Sequence, residues 1–157
     1  LSFLVPQSSH LAWLQEENDG AQRLYLDKAL PKRVAEHLPT LVKGLAEKHG
    51  IDLSSCQFVI HPGGPRVLEN VGATLSLQPE QMTASWYVMT HRGNLSGSST
   101  LVVLHHLDLM LAGNLQCPET QHPKVVFPET FSQYTHVFGI SFGPGVGVEM
   151  MLLKINM

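Results

Sequence analysis

The sequence predicts an α/β domain built on a mixed sheet. Three observations carry that reading. Short apolar, β-branched runs alternate with segments of helical period through the middle of the chain. The C-terminal end reads as two strands joined by a glycine-proline turn. Hydrophobic residues make up 43% of the 157 residues and charged ones 15%, a balance that fits neither disorder nor a coiled coil. A chain of this length is one domain or half of something larger.

Each element has its own local reason. Residues 3–5 and 9–14 predict short strands, and the polar run closing the second carries the Asp19-Gly20 turn signal, so this is hairpin material. Over residues 31–49, apolar side chains fall at Val34, Leu38, Leu41, Val42 and Leu45, the spacing of an amphipathic helix. Pro31 suits its first turn and Gly50 its end, while Pro39 inside it predicts a kink or a break. Cys56–Ile60 is a buried-strand run that stops at His61-Pro62-Gly63-Gly64. Pro65 then opens a helix carrying Val67, Leu68, Val71 and Leu75 on one face, and a short helix follows Pro79. Gly93-Asn94-Leu95-Ser96 breaks the chain before residues 98–111, which are apolar almost all round and so predict a helix buried on most sides. Residues 114–130 hold three prolines and read as a variable surface loop. Residues 137–142 and 146–155 are the closing strands, joined across Gly143-Pro144-Gly145.

Composition removes several function classes. The formal charge is −3 without a long basic run, which argues against an electrostatic nucleic-acid binder. No apolar stretch approaches the roughly 18 residues needed to cross a bilayer, and the start lacks the basic segment of a secretory signal, so no membrane partner and a cytoplasmic setting are expected. Two cysteines, Cys56 and Cys117, cannot make a disulfide framework, which favours a reducing compartment. The chain opens on Leu1 inside strand-like sequence, so a missing N-terminal portion is expected.

His61 ends a predicted strand beside the start of a helix, the carboxyl edge where α/β folds form ligand crevices. Its glycines, Gly63 and Gly64, would let a substrate approach the backbone, although a structural turn with a core histidine fits the same spacing. Asn94 could offer its carboxamide to a ligand or simply occupy a left-handed turn. His105 and His106 are adjacent on a helix and cannot face the same way, and Asp108 completes no ligand spacing with either, so no metal site is expected.

Three motifs in order make the pattern specific: FVIHPGGPRVL at 58–68, RGNLSG at 92–97 and SFGPGVGVE at 141–149. They resemble the WxxHPGGxxIL, YGNMSS and GFGPGLTVE patterns of type III polyketide synthases, the chalcone and stilbene synthase family. The interval from His61 to Asn94 matches without a gap, and weaker similarity covers nearly all of residues 1–157. The resemblance implies the C-terminal half of a thiolase-like fold, with the catalytic N-terminal half missing and residues 98–111 as its buried central helix. It implies an acyltransferase that condenses acyl-CoA with malonyl-CoA, with no cofactor beyond these CoA thioesters, working as a homodimer when complete. A cysteine of the N-terminal half would carry the acyl group, and His61 and Asn94 would complete the site on one shared cavity.

Other positions follow from the same resemblance. Ser96 corresponds to a residue lining the acyl pocket, and Phe142, Gly143 and Pro144 to the loop shaping the cyclisation cavity, where Ser141 replaces the first glycine. Leu24 falls near the gatekeeper position, and Arg66 sits where the CoA tail passes, so its cation could hold phosphate or could be a solvated helix residue. The missing cysteine is neither of those present. Cys56 lies five residues before His61 on a strand, roughly 16 Å away at about 3.3 Å per residue, and Cys117 is in the variable loop. The isolated chain is therefore expected to form no acyl-enzyme. The rival readings are an initiating ketoacyl carrier-protein synthase, disfavoured because that group follows its histidine with Gln-Ala-Asn, and a non-catalytic interaction or regulatory remnant of the same fold.

Overall fold

The computed structural model describes residues 2–4, 12–115, 122–143 and 147–156, apart from the side chains of Leu4, Ala12, Trp13, Leu14, Leu24, Leu26 and Pro31. The strands are β1 (Ser2–Leu4), β2 (Ala12–Glu16), β3 (Gln22–Leu26), β4 (Cys56–Ile60), β5 (His136–Gly143) and β6 (Gly147–Lys154). The helices are α1 (Leu30–His49), α2 (Pro65–Leu75), α3 (Thr83–Arg92) and α4 (Ser99–Leu111).

The main sheet is mixed, as the sequence predicts, in the order β1-β6-β5-β4. β4 and β5 are parallel, while β5 and β6 form the antiparallel closing hairpin and β6 continues antiparallel to β1. Side-chain alternation divides the core in two. Phe58, Ile60, Phe138 and Ile140 pack with Val34, Leu38 and Val42 of α1 and Leu68 and Val71 of α2. Val59 and Val137 point the other way, against Ala84 and Val88 of α3 and Val103, Leu107 and Met110 of α4. Register places Phe58 opposite Phe138, and their rings stack at 5.5 Å.

β4 lies at one flank of this sheet with all five residues buried, so its outward backbone groups need partners. Side chains supply them. The Ile60 N–H donates to Ser85 Oγ at 2.9 Å, whose hydroxyl donates to the Phe58 carbonyl at 3.1 Å. Gln81 Nε2 donates to the Cys56 carbonyl at 3.0 Å and to that of Leu53 at 2.8 Å.

Two local expectations are corrected. The early hairpin does close at Asp19-Gly20, but its described strands are β2 and β3, over 12–16 and 22–26, so the predicted strand runs on to Glu16, while residues 9–11 lie outside the described residues. Its register follows the turn, where Ala21 N–H donates to Asp19 Oδ1 at 3.0 Å. Pro39 does not break α1, which runs from Leu30 to His49. Pro39 is exposed, at the border of the buried Val34, Leu38, Val42 and Ala46 stripe. An interior proline costs about 3 kcal/mol, and burying each large apolar side chain returns roughly 1.5–3 kcal/mol, so the stripe outweighs it. α4 is covered on most sides, as its composition predicts, and leaves one exposed stripe at Leu101, His105 and Asp108. Ser99, Val103, His106, Leu107 and Met110 are buried, whereas Leu101 is 68% exposed.

Candidate active site

The HPGG segment leaves the carboxyl end of β4 still tied to the sheet, because His61 N–H donates to the Ile140 carbonyl at 2.8 Å. The chain then turns tightly, with Gly63 N–H on the His61 carbonyl at 2.9 Å. That turn carries Gly63 under the imidazole. A Cβ on Gly63 would stand 3.3 Å from His61 Cδ2, so any side chain there would press on the ring. The imidazole is half-buried and meets Phe142 edge-on, with ring centroids 6.4 Å apart. Burial holds its pKa below the usual histidine value, leaving it neutral near pH 7 and able to accept a proton.

Asn94 reaches the same turn from the other side. It sits between α3 and α4, after Gly93 at φ 72°, a conformation glycine adopts at little cost. Its Nδ2 donates to the Gly63 carbonyl at 3.2 Å, and its Oδ1 accepts from Ser96 N–H at 2.8 Å and from the Ser99 hydroxyl at 3.3 Å. Those partners fix which end of the carboxamide is nitrogen. The second amide proton has no partner among the described residues. Imidazole and carboxamide thus lie against one glycine, which brings a proton acceptor and a free N–H donor to one exposed edge of the sheet.

The other candidates fall in several places. Ser96 is exposed with φ 56°, an uncommon conformation for a residue with a Cβ. Gly64 is half-buried ahead of α2, and Arg66 is exposed in its first turn. Gly143 ends β5 opposite Gly147. Ser141 faces away from His61, because its Oγ accepts a hydrogen bond from Thr100 of α4 at 3.2 Å while Phe142 lies on the imidazole side. Pro144, Cys117 and the side chain of Leu24 lie outside the described residues. The residue that pattern reading missed is Ser99, fully buried at the start of α4 and bonded to Asn94. A small polar residue five positions after Asn94 was the available signal.

No group of three His, Cys, Asp or Glu side chains with metal-binding geometry occurs among the described residues. Cys56 is buried at the first position of β4, its thiol on the Asp52 carbonyl at 3.5 Å. Burial, reinforced by the Asp52 charge, pushes the thiol up to about 11. It is therefore protonated and hidden at pH 8. Iodoacetamide at that pH is expected to leave Cys56 unmodified in the folded chain and to alkylate it in denaturant. Rapid native alkylation, mapped by peptide mass, would contradict the burial.

Comparison with known proteins agrees over nearly the whole chain. The family of chalcone and stilbene synthases, C-terminal domain, matches residues 2–156. The 1,3,6,8-tetrahydroxynaphthalene synthase of Streptomyces coelicolor is 32% identical over 107 residues, 68% of this chain and 28% of that protein. Polyketide synthase 37 of Dictyostelium discoideum is 27% identical over 156 residues, 99% of this chain but 5% of its own length. Among solved structures, PKS-I of the brown alga Ectocarpus siliculosus superposes with a TM-score of 0.77 at 25% identity, covering 99% of this chain and 38% of that one. The chain thus spans well under half the length of these relatives. Motif order, fold and family match agree, and the chain belongs to the chalcone and stilbene synthase family as a type III polyketide synthase C-terminal domain.

Proposed function

We propose that this domain supplies the His and Asn of a Cys-His-Asn condensing site, whose cysteine comes from an N-terminal half. The observation that supports this reading is the convergence of His61 and Asn94 on Gly63, one neutral imidazole and one free amide N–H beside the same turn. In this scheme a CoA-linked acyl group passes to the cysteine thiolate, releasing CoA, and His61 takes up the thiol proton and stabilises the thiolate as an ion pair. Malonyl-CoA then loses CO2, and the electron pair of the broken C–C bond becomes a thioester enolate. Its oxygen gathers charge that the two N–H donors stabilise. The enolate carbon attacks the acyl thioester, forms the new C–C bond and expels the cysteine thiolate.

The remaining residues have roles as surroundings. Phe142, Gly143 and Pro144 would bound the cavity beside the imidazole, Ser96 and Leu24 would line the acyl pocket, Gly63 and Gly64 would let the thioester lie close to the backbone, and Arg66 would meet CoA phosphate. A free, buried Cys56 suits the cytoplasmic setting proposed for this chemistry.

The missing half needs a seat. A groove of about 760 Å³ runs between α4 and β6, lined by Leu101, Leu104, Leu111, Leu153 and Ile155, and its apolar side chains include Leu101, 68% exposed, and Leu153, 40% exposed. These exposed apolar side chains on one groove support its reading as the seat of that half. Mixed with a cysteine-bearing half, the chain is expected to form a complex on size exclusion and to consume malonyl-CoA. Leu101→Glu is expected to lower the assembled fraction at least tenfold, while the chain's own melting temperature stays nearly constant because the side chain is outside the core. Undiminished assembly of Leu101→Glu, or a complex that leaves malonyl-CoA untouched, would count against the proposal.

A further inference from the structure

We infer that Ser99 is a positioning residue for Asn94, a role that rests on the proposed part of Asn94 in catalysis. A carboxamide can help at a developing oxyanion only if its N–H end, and not its carbonyl end, faces the reacting oxygen. Rotation by half a turn exchanges the two at little steric cost, so hydrogen bonds must decide. Oδ1 is held by the Ser96 N–H at 2.8 Å and the Ser99 hydroxyl at 3.3 Å, which occupies both acceptor positions. Nδ2 spends one proton on the Gly63 carbonyl and keeps the other free.

Ser99 differs from the other two partners in being fully buried, so no water competes for its hydroxyl. It also works in two directions. Its Oγ accepts the Leu95 N–H at 2.8 Å, so the same atom that tethers the Asn94 side chain ties down the backbone of the next residue. That second bond steadies the short turn in which Ser96 holds φ 56°. The hydroxyl has one proton, and with the Leu95 N–H donating into its lone pairs, that proton is directed at Asn94 Oδ1. Losing it would leave the carboxamide on two partners and widen its torsional range, without touching His61.

The test compares Ser99→Ala, Ser99→Thr and Ser99→Val in the assembled enzyme, this chain together with its cysteine-bearing half. Thr and Val have nearly the same shape and differ in the hydroxyl, so the pair separates hydrogen bonding from packing even if Ala disturbs the fold. Two rates are read: acyl transfer from labelled acyl-CoA to the cysteine, and decarboxylation of malonyl-CoA. Ser99→Val is expected to lose about 3–10-fold in decarboxylation kcat relative to Ser99→Thr, the size of one modest hydrogen bond, with KM and acyl transfer alike in the two. Equal decarboxylation by Thr and Val, or a loss shared equally by acyl transfer, would make Ser99 a packing residue and overturn the inference. Asn94→Ala serves as the reference. If it leaves decarboxylation intact, the reading of the site itself fails; if it lowers decarboxylation while Val matches Thr, the positioning role alone fails.

Discussion

Asn94→Ala in the assembled enzyme is expected to slow malonyl-CoA decarboxylation by roughly 10²–10³-fold, the usual loss for one preorganised oxyanion donor. Acyl transfer to the cysteine is expected to change far less. The asymmetry follows from chemistry. A carboxamide stays neutral at every working pH, so it cannot help ionise a thiol, but its free N–H can meet an enolate oxygen. The other Nδ2 proton and both Oδ1 lone pairs are already committed to Gly63, Ser96 and Ser99, so Ala also removes the tether between the two loops. Radiolabelled acyl-CoA on a gel and CO2 release from malonyl-CoA give the two rates separately. Equal losses in both would sink the division of labour between Asn94 and His61.

His61→Ala is expected to damage both steps, by about 10²–10⁴-fold in acyl transfer, because in the proposed scheme the imidazole is proton acceptor for the thiol and oxyanion donor. Its pH behaviour supplies the sharper check. Burial holds His61 below the ordinary histidine value, so before substrate arrives it is the neutral base that a thiol requires. Without it the cysteine must ionise unaided, near pH 8.5 for an ordinary thiol. Acyl transfer by His61→Ala is therefore expected to climb as pH rises through that value, whereas the wild-type rate is already high near neutrality. A flat profile for the variant would show that His61 does not act on the thiol. In the isolated chain neither form is expected to be acylated, and stoichiometric, His61-dependent labelling of Cys56 or Cys117 would overturn the half-site reading.

What could be read from the residues alone was whatever is encoded over a few positions. The Cys56–Ile60 run, the HPGG stop, the α1 stripe and the closing hairpin across 143–147 are local patterns, and each appears where pattern places it. Pro39 misled because propensity is a local cost, while the buried stripe of α1 gains its energy from the sheet. α4 agrees in the main, with one stripe left open. Its apolar residue Leu101 and Leu153 of β6 stay exposed among the described residues, which periodicity alone does not foretell. Of the candidate site, His61 and Asn94 were visible through motif and spacing, but their meeting at Gly63 depends on how α3 returns across the sheet, which no spacing encodes. Ser99 escaped for the same reason: a serine five residues from an asparagine has no meaning until a helix start folds its hydroxyl back onto the carboxamide.

The side chains bracing β4 decide in which direction this sheet can grow. Ser85 and Gln81 occupy backbone groups that an incoming strand would need, so a neighbouring chain cannot add itself beside Cys56–Ile60 without first pulling α3 away. The opposite flank ends in β1, three residues long and bonded along one side to β6. Among the described residues, the flank open to another polypeptide is therefore the one that ends in β1, with two strands between it and the β4 flank that leads to His61.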